Sequence, residues 1–375
     1  MTRASAISSL LTRLNAAAGA VGRDIALMEV CGTHTMSAFR SGLHSLLPTN
    51  VRLLSGPGCP VCVTAQGDID LLLEMARLPE VTVCTYGDML RVPSRTGSLE
   101  RSRAAGADVR VIYSTLDAVK LAQKMPERQV VLGAVGFETT APATAAAVLQ
   151  AEALGLKNFS IVASHKCVLP AMMALLEAGD VHVDGFLCPG HVSAIIGVDV
   201  YQPIVDQYHL PCVVTGFEEI HMAGAIVRLV EMIRDGKAEL INEYAEAVLP
   251  KGNHQACLLL EKVFEVADVR WRALGTIPKS GLVLREEYRF FDAMARFKMK
   301  MPEDREPAGC LCGKVITGAA TPHECRLFGR ACTPINPIGP CMVSSEGTCQ
   351  AYFKYARIKD GRLSGSFVET IGGGS

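Results

Sequence analysis

No block of lysine or arginine stands out anywhere in this chain, and its formal net charge is −1. The basic face that would hold a nucleic-acid backbone is missing, which excludes nucleic-acid binding from the expected functions. Nor is there any run of about 18 uncharged apolar residues, so no transmembrane helix is expected and no membrane partner. The amino-terminal segment lacks the continuous apolar stretch of a secretory signal. Its Leu10, Leu11 and Leu14 fall instead at helical spacing, which predicts a surface helix on a cytoplasmic protein. Phosphate loops are absent too. There is no GxxxxGK followed by serine or threonine and no GxGxxG after a strand, so no motif supports a nucleotide role.

What the chain does contain is core-forming material and cysteine. Of 375 residues, 49% are hydrophobic and 20% charged, enough for a sizeable core in two or three domains. Fourteen cysteines in a long chain without a secretory signal are not disulfide staples for a deficient core. They point to metal, cluster or redox chemistry.

Residues 24–220 repeat one theme: a short apolar, β-branched run, a glycine-containing turn, then a helical pattern. The runs are IALMEVCG, VRLLSGPG, VTVCTYG, VRVIYS, VVLGAVG, FSIVASH, VDGFLCPG and CVVTGFE. Strands so uniformly apolar suit parallel sheets covered by helices on both faces. The expected fold class is α/β, with two related parallel-sheet domains at 1–140 and 141–225. A helical and Cys-rich segment, 226–375, would follow as an iron–sulfur domain. IHMAGAIVRLVEMIRDG, INEYAEAVL and EEYRFFDAMARF read as helical. Reactive residues gather just after the strands, where open α/β sheets place their ligands: Cys31, Cys59, Glu138, His165, His191 and Glu218.

Three constellations carry chemistry. Cys310, Cys312, Cys325, Cys332, Cys341 and Cys349 form the tail array, with 12, 6, 8 and 7 residues between successive cysteines after Cys312. These spacings match neither a zinc ribbon nor a bacterial ferredoxin run. An iron–sulfur cluster is the leading reading, with structural zinc and disulfides or unligated thiols left open. Six thiols for four positions leave two spare, and spacing alone does not choose them. Second, Cys59-Pro60-Val61-Cys62 at a strand-to-helix turn is suited to a reactive dithiol; a pair of buried cysteines or half of a metal site is the plainer alternative. Third, Cys31 with His34 three residues on offers a soft metal ligand or an activated nucleophile; a merely buried cysteine is as good a reading of the residues. Glu138, His165, His191 and Glu218 are candidate proton carriers or simply caps at helix starts. Cys84, Cys167, Cys188, Cys212 and Cys257 read as small core residues.

CGTHT at 31–35, GPGCPVC at 56–62, GFETT at 136–140 and CPGHVS at 188–193, with the tail ECRLFGRACTP and PIGPCMVSSEGTCQAY, together resemble the HypD family of hydrogenase maturation factors. The motifs run in order over nearly the whole chain. The resemblance implies two α/β domains and a C-terminal domain with a [4Fe–4S] cluster. It implies assembly of the Fe(CN)₂CO unit of [NiFe] hydrogenases with HypC, with cyanide received from HypE. By position, Cys31 resembles the family cysteine that holds the iron carrying CN and CO, and Cys59 and Cys62 its redox-active pair. Cys312, Cys325, Cys332 and Cys349 resemble the cluster ligands, leaving Cys310 and Cys341 spare. His34 and Glu138 would position the thiol or move protons. The alternative is an iron–sulfur-dependent thiol–disulfide oxidoreductase acting on a protein; a zinc-stabilised interaction scaffold is a third reading.

Overall fold

A computed structural model describes residues 3–359 and 362–365; the last ten residues of the 226–375 segment lie outside the described residues. All eight apolar runs form strands: β1 (Ile25–Glu29), β2 (Val51–Ser55), β3 (Val81–Thr85), β4 (Asp108–Val111), β5 (Gln129–Gly136), β6 (Phe159–Lys166), β7 (Gly185–Pro189) and β8 (Cys212–Thr215). Every residue of β1, β3 and β7 is buried. That burial is why the apolar runs are continuous rather than alternating: helices cover both faces. Helices that matter below are α1 (Arg3–Val21), α2 (Gly32–Arg40), α3 (Pro60–Val63), α4 (Gln66–Ala76), α5 (Val168–Ala178), α6 (Gly190–Ile196), α7 (Glu219–Arg234), α8 (Cys312–Ile316) and α9 (Thr348–Tyr355).

Two sheets result. The first has the order β2-β1-β7-β8-β9, with β9 at Leu240–Asn242, and is parallel throughout. The second has the order β10-β11-β6-β5-β3-β4. Its β6, β5, β3 and β4 are parallel, and an antiparallel hairpin of β10 (Phe264–Trp271) and β11 (Gly275–Leu284) joins at β6. The α/β class with parallel-dominated sheets is as expected. The strands do not part at residue 140, however. The first sheet takes its strands from residues 25–55 and 185–242, the second from 81–166 and 264–284.

The amino-terminal helix is present as α1 and buries Leu14, Ala17 and Ala18 in a cluster shared with Met222, Ile226 and Leu229 of α7. Two helical expectations give way. INEYAEAVL holds the last two residues of β9, followed by turns. EEYRFFDAMARF folds as a 3₁₀ turn, Glu286–Phe291, followed by the short helix Ala293–Phe297.

Candidate functional site

Cys31 stands two residues beyond the carboxyl end of β1, in extended conformation as N-cap of α2. Its side chain makes no cap hydrogen bond to the first turn of that helix. Its own N–H donates to Glu29 Oε2 at 3.0 Å, and the Thr35 hydroxyl donates to the other oxygen of the same carboxyl. Glu29 is 1% exposed, and burial lifts its pKa to about 8 against the pull of the bonds from Thr35, Cys31 and Ser55. Burial, reinforced by the Glu346 carboxylate, pushes the Cys31 thiol up to about 12. At that value the thiol holds its proton at neutral pH, and a cation bound there would deprotonate it.

The dithiol loop lies directly on Cys31. Cys59 caps α3, and the Cys62 N–H donates to Cys59 Sγ at 3.3 Å. The two sulfurs are joined as a disulfide with Cα atoms 5.2 Å apart. Gly32 donates its N–H to the Gly58 carbonyl at 3.1 Å. A Cβ on Gly58 would lie 2.2 Å from the Cys31 nitrogen, and one on Gly32 would lie 2.4 Å from Cβ of Glu346. Only glycine permits backbone to approach so closely. A third element closes the site, since Thr33 Oγ1 donates to Glu346 Oε1 at 2.7 Å. Three loops from distant parts of the sequence thus meet at one thiol.

Other expected residues are placed around this junction or away from it. His34 is fully buried, its Nε2 donating to the Gly216 carbonyl at 3.1 Å, and burial lowers its pKa to about 4. It is a neutral imidazole tied to the β8–α7 loop rather than an activator already bonded to the Cys31 sulfur. Its ring lies 4.7 Å from Phe217, on which the exposed His191 stacks at 3.9 Å. Glu138 accepts the Val168 N–H at the start of α5 at 2.9 Å. Its second oxygen has no hydrogen-bond partner, and burial raises its pKa to about 7. His165 lies within β6, bonds Thr144 Oγ1 at 2.9 Å and is a core residue. Glu218 caps α7. Cys84, Cys188 and Cys212 are buried as expected, while Cys167 and Cys257 are half-buried.

In the tail, the Cys312 N–H donates to Cys310 Sγ at 3.4 Å and the Cys349 N–H donates to Cys341 Sγ at 3.2 Å. Cys332 is within electrostatic reach of Cys349. Cys325 is set apart, with its thiol donating to the Gly309 carbonyl at 3.9 Å. Cys312 and Cys349 are therefore each bonded to one of the two thiols expected to be spare, Cys310 and Cys341. Among the described residues, no three His, Cys, Asp or Glu side chains are spaced to hold a single metal ion.

The family model described as "Hydrogenase formation hypA family", labelled HypD, matches residues 5–356. The chain belongs to the HypD family. It is 47% identical to the hydrogenase maturation factor HypD of Azotobacter vinelandii, across 89% of this chain and 90% of that protein. Identity is 45% with the protein of the same name from Escherichia coli, at 89% and 90% coverage. A putative hydrogenase expression/formation protein of Methanocaldococcus jannaschii is 40% identical, at 94% and 98% coverage. Among the described residues no helix is long and apolar enough to cross a membrane.

In this HypD-family chain the site includes residues that sequence reasoning missed. Glu29 and Glu346 flank Cys31 and its loop, and Phe217 packs on His34, yet none of the three was singled out as a candidate. Glu29 left a trace in the sequence: a lone carboxylate inside the apolar run IALMEV, which must be bonded if buried. Glu346 left none, because only the fold brings the tail to Gly32.

Proposed function

We propose that this chain is a scaffold for hydrogenase maturation on which iron, the cargo, receives cyanide and carbonyl ligands. The observation that carries the reading is the meeting of three loops at Cys31, where Gly32, Gly58 and Glu346 close around a single thiol beside a disulfide. A thiolate is a soft anchor suited to low-spin iron with strong-field ligands. Cys31 would hold the iron, with a HypC-like small partner supplying a second thiolate and a HypE-like partner delivering cyanide. His34, held neutral, and Glu138, with a pKa near 7, are suited to accept or release a proton. Cys59 and Cys62 would open and close as a redox pair.

The tail thiols suit a [4Fe–4S] cluster in donor chemistry. Cys312, Cys325, Cys332, Cys341 and Cys349 are all buried, and Gly339 leaves room beside Cys310 and Cys312 that a Cβ would fill, at 2.9 Å from Cys310 Sγ. Cys312, Cys325, Cys332 and Cys349 would hold the cluster, which supplies one-electron redox chemistry when bound.

The test is infrared spectroscopy of the anaerobically purified complex with the HypC-like partner. Cys31→Ala should abolish the cyanide and carbonyl bands; undiminished bands in that variant remove Cys31 from the iron site. The disulfide itself favours a second reading, a thiol–disulfide oxidoreductase acting on a protein substrate. Wild-type protein lacking diatomic ligands on iron while reducing a protein disulfide would support it.

A further inference from the structure

Arg272 follows the end of β10, at the bend into β11. It is 2% exposed and its side chain is wholly buried. A guanidinium stays protonated inside a protein, so this is a permanent positive charge in the interior, where charge is costly unless it has partners. Its partners lie at the dithiol. The Arg272 backbone N–H donates to the Val63 carbonyl at 2.9 Å, and Nε donates to the Thr64 carbonyl at 3.1 Å. Nη2 donates to Gln66 Oε1 at 3.1 Å. Val63 is the last residue and Thr64 the C-cap of the single helical turn α3, which has Cys59 as its N-cap and contains Cys62. The Thr64 carbonyl that the guanidinium bonds is two residues past Cys62 and five past Cys59, about 3 and about 7.5 Å along the axis at about 1.5 Å of rise per residue. On another side the charge is within electrostatic reach of the Cys312 thiol. Glu306, with its side chain 45% exposed, pairs with it at 3.4 Å.

We infer that Arg272 is a positioning residue for the Cys59–Cys62 couple: it pins the end of α3, and its charge favours the reduced dithiol over the disulfide. The inference rests on the redox reading of that pair. On reduction the Sγ–Sγ bond breaks and two electrons enter; one sulfur takes a proton and the other is left as thiolate. In solution a dithiol such as dithiothreitol supplies the electrons and closes its own disulfide. A fixed cation near the new thiolate stabilises that side of the equilibrium.

The experiment equilibrates the purified chain with dithiothreitol redox buffers at about pH 8, near the ordinary thiol pKa. Alkylation and mass spectrometry then count the reduced Cys59 and Cys62. Arg272→Met should shift the equilibrium about tenfold toward the disulfide, equivalent to about 30 mV for two electrons. Arg272→Lys should recover most of that shift. Because Arg272→Met can fail to fold, Glu306→Gln is the companion variant. It removes a half-exposed countercharge and should shift the equilibrium in the opposite direction, about two- to threefold toward the dithiol. An Arg272→Met value within twofold of wild type, an Arg272→Lys variant as impaired as Arg272→Met, or no opposite shift in Glu306→Gln overturns the inference. If the wild-type pair shows no reversible two-electron equilibrium, the redox reading itself fails, which is a separate result.

Discussion

Glu138 and His34 are both buried, and burial opposes the charged form of each, so they pull stability in opposite directions as pH changes. The Glu138 carboxyl has its folded pKa raised from 4.5 to about 7. The native state therefore holds this proton more tightly than the unfolded chain, and stability falls as pH rises from about 4.5 to about 7. For His34 the folded value is lowered from 6.5 to about 4, so stability is lost as pH falls through that window. Glu138→Gln keeps an acceptor for the Val168 N–H and removes the charge. It should stabilise the protein above pH 7 by up to about 3 kcal/mol, the linkage equivalent of the shift, and leave stability at pH 4 almost unchanged. Urea unfolding of wild type and variant at several pH values measures this. A parallel offset at every pH would mean that packing rather than ionisation sets the difference.

Between neighbouring elements, the approach of the β2–α3 loop to the β1–α2 loop depends on Gly58. The Cβ of an alanine there would meet the backbone of Val30 and Cys31 at 2.2–2.5 Å, and backbone cannot rotate aside. Gly58→Ala should therefore cost at least about 2 kcal/mol of stability. Gly224 is the control: it lies within α7 with nothing inside 4 Å of its added Cβ. Gly224→Ala should gain about 0.5–1 kcal/mol from helix propensity alone. Thermal unfolding of the two variants distinguishes contact from propensity by the sign of the change. Elements of this kind were also where the sequence was most and least legible. β1 to β8 could be read because buried parallel strands are continuous apolar runs. The hairpin of β10 and β11 could not, because FEVADVRW carries exposed Glu265, Val266, Asp268 and Arg270 beside buried Phe264 and Trp271. Its pairing with β6 is a tertiary event that local periodicity does not encode. Cys31 and the dithiol were visible as motifs and Glu29 left a trace beside them, whereas Glu346 and Arg272 became site residues only when separated segments met.

At the scale of the molecule, the chain weaves between its sheets instead of completing one and then the other. β1 and β2 belong to the first sheet, β3 to β6 to the second, β7 to β9 to the first again, and β10 and β11 to the second. The tail then returns to the loop that carries Cys31, where Glu346 accepts from Thr33, and to the β10–β11 hairpin, where Ala273, beside Arg272, lies close to Gly313 of α8. A cut at residue 140 would strip β1 of its partner β7 and β5 of its partner β6, exposing apolar edges on two sheets at once. The consequence is that residues 1–140 do not form an autonomous domain, although their sequence resembles a complete series of strand–helix units. Expressed alone, that fragment should show no cooperative transition on heating followed by circular dichroism, while the full chain melts cooperatively. A cooperative melt of the fragment would mean that the amino-terminal strands pair stably without β6 and β7, and that the weave is not what holds the three loops at Cys31.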